Sequence, residues 1–83
     1  MQTIMIDGSM YASSRELHLA LKKMLSLPDY YGLNADALND CLCEKTERVN
    51  LWILQPGSDE VEKSLSRVCR VIEDNGGTVK ELL

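Results

Sequence analysis

Acidic and amide side chains are concentrated in residues 34–40, which read Asn-Ala-Asp-Ala-Leu-Asn-Asp. If this stretch is helical, Asp36, Asn39 and Asp40 stand at positions i, i+3 and i+4 and share one face. Residues 24–44 contain no Lys or Arg, so the carboxylates have no basic neighbour in the sequence. Such carboxylates can accept charge-assisted hydrogen bonds from the Arg, Lys or His side chains of a basic partner.

The same residues also have a purely structural interpretation. Asp36 would lie in the first turn of the helix, where a carboxylate stabilises the partial positive charge of the helix N-terminus. Tyr30 and Tyr31 precede the helix and can pack with their hydroxyl groups in water. Judged by the residues alone, this structural interpretation is favoured over a binding site.

The other reactive residue types do not form a catalytic or metal-binding pattern. His18 is the only histidine, and no nucleophile or orienting carboxylate accompanies it, so we predict a surface or half-buried side chain. Cys41 and Cys43 would project in different directions from a helix, and two thiolates are too few for a closed zinc site. The sequence therefore predicts a protein that is not an enzyme and holds no metal or cofactor.

Composition limits the chain to one small domain over residues 1–83. A hydrophobic content of 45% indicates a folded protein. The net charge of −4 and the pI near 4.8 argue against direct nucleic-acid binding and suit a basic protein partner, although acidity also serves solubility.

Two features of the sequence favour a cytoplasmic protein. The first 12 residues contain Asp7 and no basic segment, so we expect no signal peptide, and no apolar run approaches the ~20 residues of a membrane helix. The three cysteines are an odd number, which favours free thiols in a reducing compartment.

Local patterns predict three strands and three helices. Ser13 with Glu16 forms a capping box for the first helix, and Pro28 stops the helix that precedes it. Asn34 is a suitable N-cap for the second helix, and Ser58 or Asp59 for the third. The expected order is strand 3–6, a helix from residue 13, helix 34–43, strand 49–54, a helix ending at residues 74–77, and strand 78–83.

Strands separated by helices usually form a parallel sheet, so this order predicts a small α/β domain with a three-stranded parallel sheet. Residues 49–54 are almost continuously apolar, which favours a central strand covered on both faces. Trp52 belongs to this strand and is predicted to lie in the core.

Residues 27–38, Leu-Pro-Asp-Tyr-Tyr-Gly-Leu-Asn-Ala-Asp-Ala-Leu, and the Asp-Cys-Leu that follows resemble the barstar family of intracellular ribonuclease inhibitors. The resemblance covers most of the chain in element order, is specific in residues 17–42, and is weak after Leu54. It implies a barstar-like fold, a three-stranded parallel sheet with three to four packed helices. One small helix of the family is expected to be reduced or absent.

The resemblance also implies a partner-binding site. Asp40 matches the family aspartate that enters the ribonuclease active site in place of a phosphate, and Asp36 matches a second acidic contact. Tyr30 matches an aromatic residue that packs against the enzyme. The complete set of expected partner-binding residues is Tyr30, Gly32, Leu33, Asn34, Asp36, Asn39 and Asp40.

Two positions depart from the family pattern. Asn39 stands where the family has a tryptophan, and Val71 stands where the last helix carries a carboxylate, with Glu73 as a nearby substitute. The resemblance implies an inhibitor of a basic ribonuclease of the barnase type. The departures keep a second interpretation open, in which the protein is an acidic interaction module for a different basic protein.

Overall fold

The computed structural model describes residues 1–45 and 47–82. Over these residues the order is β1 (Gln2–Asp7), a short 3₁₀ helix (Gly8–Met10), α1 (Ser14–Met24), α2 (Ala35–Glu44), β2 (Val49–Gln55), α3 (Asp59–Asp74) and β3 (Thr78–Glu81). The strands form one parallel sheet in the order β1-β2-β3. The predicted α/β fold is confirmed, with the 3₁₀ helix as an unpredicted addition. Leu83, the predicted end of the last strand, lies outside the described residues.

Side-chain caps start the first and third helices where the sequence predicts. The Ser13 hydroxyl accepts a hydrogen bond from the Glu16 amide at 3.3 Å, and Ser58 accepts from the Val61 amide at 3.4 Å. The Glu16 carboxylate accepts from the amide of Ala12 at 2.7 Å, one residue earlier than in the usual capping box. These bonds satisfy backbone N–H groups that have no partner inside the helix.

The helices bury one face of the sheet. Ile4 pairs with Leu51 and Ile6 with Ile53 in the parallel register, so these side chains form one apolar layer. Each helix contributes buried side chains to the same core. These are Leu17 and Leu21 from α1, Leu25 directly after it, Leu38 and Leu42 from α2, and Val61, Leu65, Val68 and Ile72 from α3.

The opposite face of the sheet is only partly covered, and this corrects two predictions. Burial alternates along β2, so the expectation of a strand covered on both faces is wrong. Trp52 is half-buried outside the core, next to Met5, which is 48% exposed. The physical reason is that the helices of the described residues all pack on the other face, where their apolar stripes share one core.

A glycine turn joins α3 to β3, as predicted. Gly76 has a φ of +81°, the left-handed region that glycine adopts without steric cost. At Gly77 a side chain would overlap the Val49 carbonyl oxygen and crowd Ile72. The helix end therefore packs directly against the central strand, which fixes α3 relative to the sheet.

Candidate functional site

The connection from α1 to α2 enters the second helix through a sharp turn. Leu33 has a φ of 56° and its side chain packs partly against the core. The Asn34 side chain is the N-cap: its Oδ1 accepts from the Ala37 amide at 2.8 Å, and its Nδ2 donates to the Gly32 carbonyl at 3.1 Å. The predicted cap is confirmed, and it defines the direction in which α2 leaves the core.

Removal of the Asn34 cap should lower the stability of the folded domain by a measurable amount. We expect Asn34→Ala to lower the free energy of unfolding by about 1 kcal/mol, because the Ala37 amide loses its partner. Asn34→Asp keeps an acceptor oxygen and places a negative charge at the helix N-terminus, so it should stay near the wild-type value. Urea unfolding of the three proteins measures the difference, and equal losses in both variants would contradict the capping role.

A buried polar pair lies between α1 and the connection. His18 is 3% exposed, and its Nδ1 lies 2.5 Å from the hydroxyl of Tyr31, which is 5% exposed. The same hydroxyl lies 3.4 Å from the Asn34 carbonyl oxygen. The predicted surface or half-buried position of His18 is therefore wrong, and the Tyr31 hydroxyl does not point into water.

Burial controls the ionisation of this pair. It lowers the pKa of His18, because a charged imidazolium would lose its hydration. It also raises the pKa of Tyr31, and the nearby Cys41 adds to that rise. Both side chains are therefore neutral at physiological pH, and their contact ties α1 to the start of α2.

The exposed side of α2 carries a line of carboxylates. Asp36 and Asp40 are both exposed, as the predicted spacing requires, and Glu44 continues the line one turn further. We name these three residues the acidic strip. Sequence analysis did not include Glu44, although its i+4 spacing from Asp40 was a usable signal.

The acidic strip has no ion-pair partner in the described part of the chain. The ion pairs found there join Lys22 to Asp29 and the N-terminal amine to Glu47, and none involves the strip. Burial raises the pKa of the Cys41 thiol, and the charges of Glu44 and Asp40 raise it further, ahead of a smaller opposite effect of Lys45. The strip therefore presents concentrated negative charge outside any ion pair of the described residues, with Lys45 as a cation near its C-terminal end.

Tyr30 adds an aromatic surface beside the strip. Its side chain is 80% exposed, in contrast to the buried Tyr31. A shallow depression of about 340 Å³ lies between the connection and α2, and its lining includes Pro28, Tyr30, Cys41 and Glu44. This depression joins the aromatic ring to the C-terminal end of the acidic strip.

Asn39 turns towards α3 instead. It is half-buried, and its Oδ1 accepts a hydrogen bond from Asn75 Nδ2 at 2.9 Å. Asn75 also donates to the Val71 carbonyl at 2.8 Å and accepts from the Cys43 thiol at 3.3 Å. Asn39 therefore braces α2 against the end of α3, a contact that sequence analysis did not anticipate.

The predicted site residues thus divide into two groups. Tyr30, Gly32, Asn34, Asp36 and Asp40 are exposed around the start and outer side of α2. Leu33 is partly buried against the core and Asn39 is half-buried against α3. Glu73 lies on the flank of α3 that faces β3, so it does not compensate at the α2 side for the carboxylate absent at Val71.

The His, Cys, Asp and Glu side chains of the described residues form no metal site. In residues 1–45 and 47–82, no group of three or more His, Cys, Asp or Glu side chains is arranged to hold a metal ion. Cys41 and Cys69 are partly buried and Cys43 is exposed, each as a free thiol. No helix of this part of the chain is long and apolar enough to span a membrane.

Comparison with known proteins identifies the family. The family model described as "Barstar (barnase inhibitor)" matches residues 1–78. The chain belongs to the barstar family. This confirms the resemblance seen in the sequence, and it associates this acidic chain with a family of inhibitors.

A curated relative supports the same assignment over a shorter stretch. The chain is 52% identical over 42 residues to "Putative ribonuclease inhibitor YrdF" of Bacillus subtilis (strain 168). The aligned segment covers 51% of this chain and 46% of that protein, so the match spans about half the length of the relative.

Proposed function

We propose that the protein inhibits a ribonuclease of the barnase type by placing the acidic strip of α2 in the basic active-site cleft. The observation that carries the proposal is the exposed Asp36–Asp40 pair, without an ion-pair partner in the described residues, in a chain of the barstar family. The similarity to "Putative ribonuclease inhibitor YrdF" supports the same role.

The mechanism is electrostatic and steric. A ribonuclease cleft holds a phosphodiester with Arg, Lys and His side chains, and a carboxylate in the phosphate position accepts the same hydrogen bonds. We assign this role to Asp40, at the centre of the strip, with Asp36 and Glu44 on its two sides. Tyr30 would cover the edge of the cleft, since an exposed aromatic ring buries a large area at little entropic cost.

The strip is well suited to rigid docking. Leu38 and Leu42 anchor the opposite side of α2 in the core, and Asn34 caps its start. The bond between Asn39 and Asn75 holds the helix to α3. A helix fixed in this way loses little conformational entropy on binding, so more of the interaction energy appears as affinity.

This function needs no catalytic residue or cofactor in the inhibitor. We propose that the protein acts in the cytoplasm, and the free thiols support a reducing compartment.

A second candidate function rests on the two departures from the family pattern. Asn39, in place of the family tryptophan, forms a hydrogen bond with Asn75, so a large apolar anchor of the family site is absent. Val71 carries no charge, so one acidic contact of the family site is absent as well. These changes favour an acidic interaction module of the same fold that binds a different basic protein.

A ribonuclease titration separates the two candidates. We expect stoichiometric inhibition of a barnase-type ribonuclease, with an association rate that falls at least about tenfold between low and moderate salt, because opposite charges steer the encounter. Asp74→Asn removes one charge elsewhere on the surface and should inhibit as the wild type does. This control separates the effect of charge on the acidic strip from the effect of the protein's net charge. Absence of inhibition at micromolar protein would reject the ribonuclease partner in favour of the second candidate.

A further inference from the structure

A second surface of the molecule combines an apolar floor with acidic walls, away from α2. A groove of about 510 Å³ lies between α3 and the β3 side of the sheet. We name it the α3–β3 groove. Its lining residues are Ile53, Pro56, Glu62, Leu65, Ser66, Cys69, Glu73, Val79 and Glu81.

The floor of the groove is apolar. Ile53 and Leu65 belong to the buried core, and Val79 of β3 is partly buried against it. Cys69 lies on the helix side, and burial, followed by the charges of Glu73 and Glu81, raises the pKa of its thiol to about 11. The thiol is therefore neutral and contributes apolar surface to the groove.

The walls are acidic and come from two elements. Glu62 and Glu73 stand on the flank of α3, and Glu81 stands on β3 across the groove. None of them takes part in the ion pairs found among residues 1–45 and 47–82. An apolar floor between uncompensated carboxylates matches a ligand that has aliphatic stems and cationic ends, such as lysine and arginine side chains.

The groove also adjoins an open sheet edge. Within the described residues β3 pairs with β2 alone, so its outer edge presents backbone N–H and C=O groups without a strand partner. An extended peptide can add to such an edge through backbone hydrogen bonds, while its alternate side chains enter a neighbouring groove.

We propose that the α3–β3 groove is a second interaction surface, which binds an extended basic segment of a partner protein along β3. The Lys or Arg stems of the segment lie on the partly buried Cys69 and Val79, and their cationic ends pair with Glu73, Glu81 and Glu62. This surface lies on the side of α3 away from Asn75 and α2, so the proposal is independent of ribonuclease inhibition.

The test uses the full chain and a defined peptide. The ¹⁵N-labelled protein is titrated with the capped peptide acetyl-Lys-Val-Lys-Val-Lys-amide, and amide chemical shifts are followed. We expect saturable shifts at the groove residues of α3 and β3, and binding that weakens with salt. The double variant Glu73→Gln with Glu81→Gln should bind about tenfold more weakly, whereas Asp74→Asn, which removes a single charge one residue from Glu73, should bind as the wild type does.

Further peptides and ligands identify the occupant. The glutamate analogue of the peptide should not bind, and acetyl-Lys-Gly-Lys-Gly-Lys-amide, with equal charge and little strand propensity, should bind more weakly. Equal binding of spermine would show that charge alone suffices and would overturn the proposal. Shifts at the groove that depend on protein concentration without peptide would show that a second copy of the chain binds there, and this would overturn the proposal. Peptide-induced shifts confined to the acidic strip would overturn it as well.

The same variants keep the two proposals separable. Glu73→Gln with Glu81→Gln should inhibit the ribonuclease as the wild type does, and Asp40→Ala should bind the peptide unchanged. Loss of peptide binding in Asp40→Ala would mean that the peptide reports on the acidic strip, which contradicts the groove.

Discussion

Asp40→Ala is expected to weaken ribonuclease inhibition at least about hundredfold. The carboxylate would be buried against cationic groups of the enzyme, and removal of one partner from a buried charge pair costs about 3–5 kcal/mol. The loss should appear mainly as faster dissociation, because truncation of a buried charge pair acts on the bound complex, whereas charges at the rim change the association rate. Inhibition titrations with the dissociation rate measured separately would test both expectations.

Two control variants define the specificity of this loss. Glu81→Ala removes a carboxylate on the far side of α3 and should leave inhibition nearly unchanged. Asp40→Asn keeps the size of the side chain but removes the charge. If the carboxylate acts as a phosphate mimic, Asp40→Asn should lose nearly as much inhibition as Asp40→Ala. Comparable losses for Asp40→Ala and Glu81→Ala would reject the assignment of the site to α2.

The helix boundaries were predictable because their signals are local. Ser13, Asn34 and Ser58 each cap a helix through a hydrogen bond to a backbone amide three residues later, and Gly76 ends the third helix with a left-handed backbone. Such patterns depend on a few neighbouring residues, so they can be read without knowledge of the fold.

Burial was less predictable because it depends on which faces meet. The apolar run of β2 indicates a strand, but it does not state how many layers cover the sheet, and Trp52 consequently lies half-buried on the open face. His18 lies beside the apolar stripe of α1, and it is buried because Tyr31, 13 residues later, supplies a polar partner. A buried polar group requires such a partner, and its identity follows from tertiary packing.

The candidate site shows the same division. The shared exposure of Asp36 and Asp40 followed from their spacing on α2. The orientation of Asn39 could not be predicted from its spacing, because its partner Asn75 lies 36 residues away at the end of another helix. Since position 39 braces two helices in this chain, its contribution to binding is expected to come from holding α2 in place.

His18 should make the stability of the protein depend on pH below neutrality. Burial lowers its pKa from the ordinary value of 6.5, so below that pH the unfolded chain takes up a proton that the folded chain excludes. The contribution of neutral His18 to the free energy of unfolding is therefore complete above about pH 6.5–7, and it decreases as the pH falls towards the folded-state pKa. For one proton the slope cannot exceed about 1.4 kcal/mol per pH unit.

Urea unfolding at pH 7.5, 6.5 and 5.5, followed by the fluorescence of the single tryptophan, measures this dependence. The wild type should lose stability in the acidic half of this range, while His18→Gln should be less stable at pH 7.5 but nearly independent of pH above 5.5. All other titratable groups are the same in the two proteins, so they should affect both alike. Equal slopes in the two proteins would mean that a group other than His18 takes up the proton, and the buried contact with Tyr31 would then not govern the acid sensitivity.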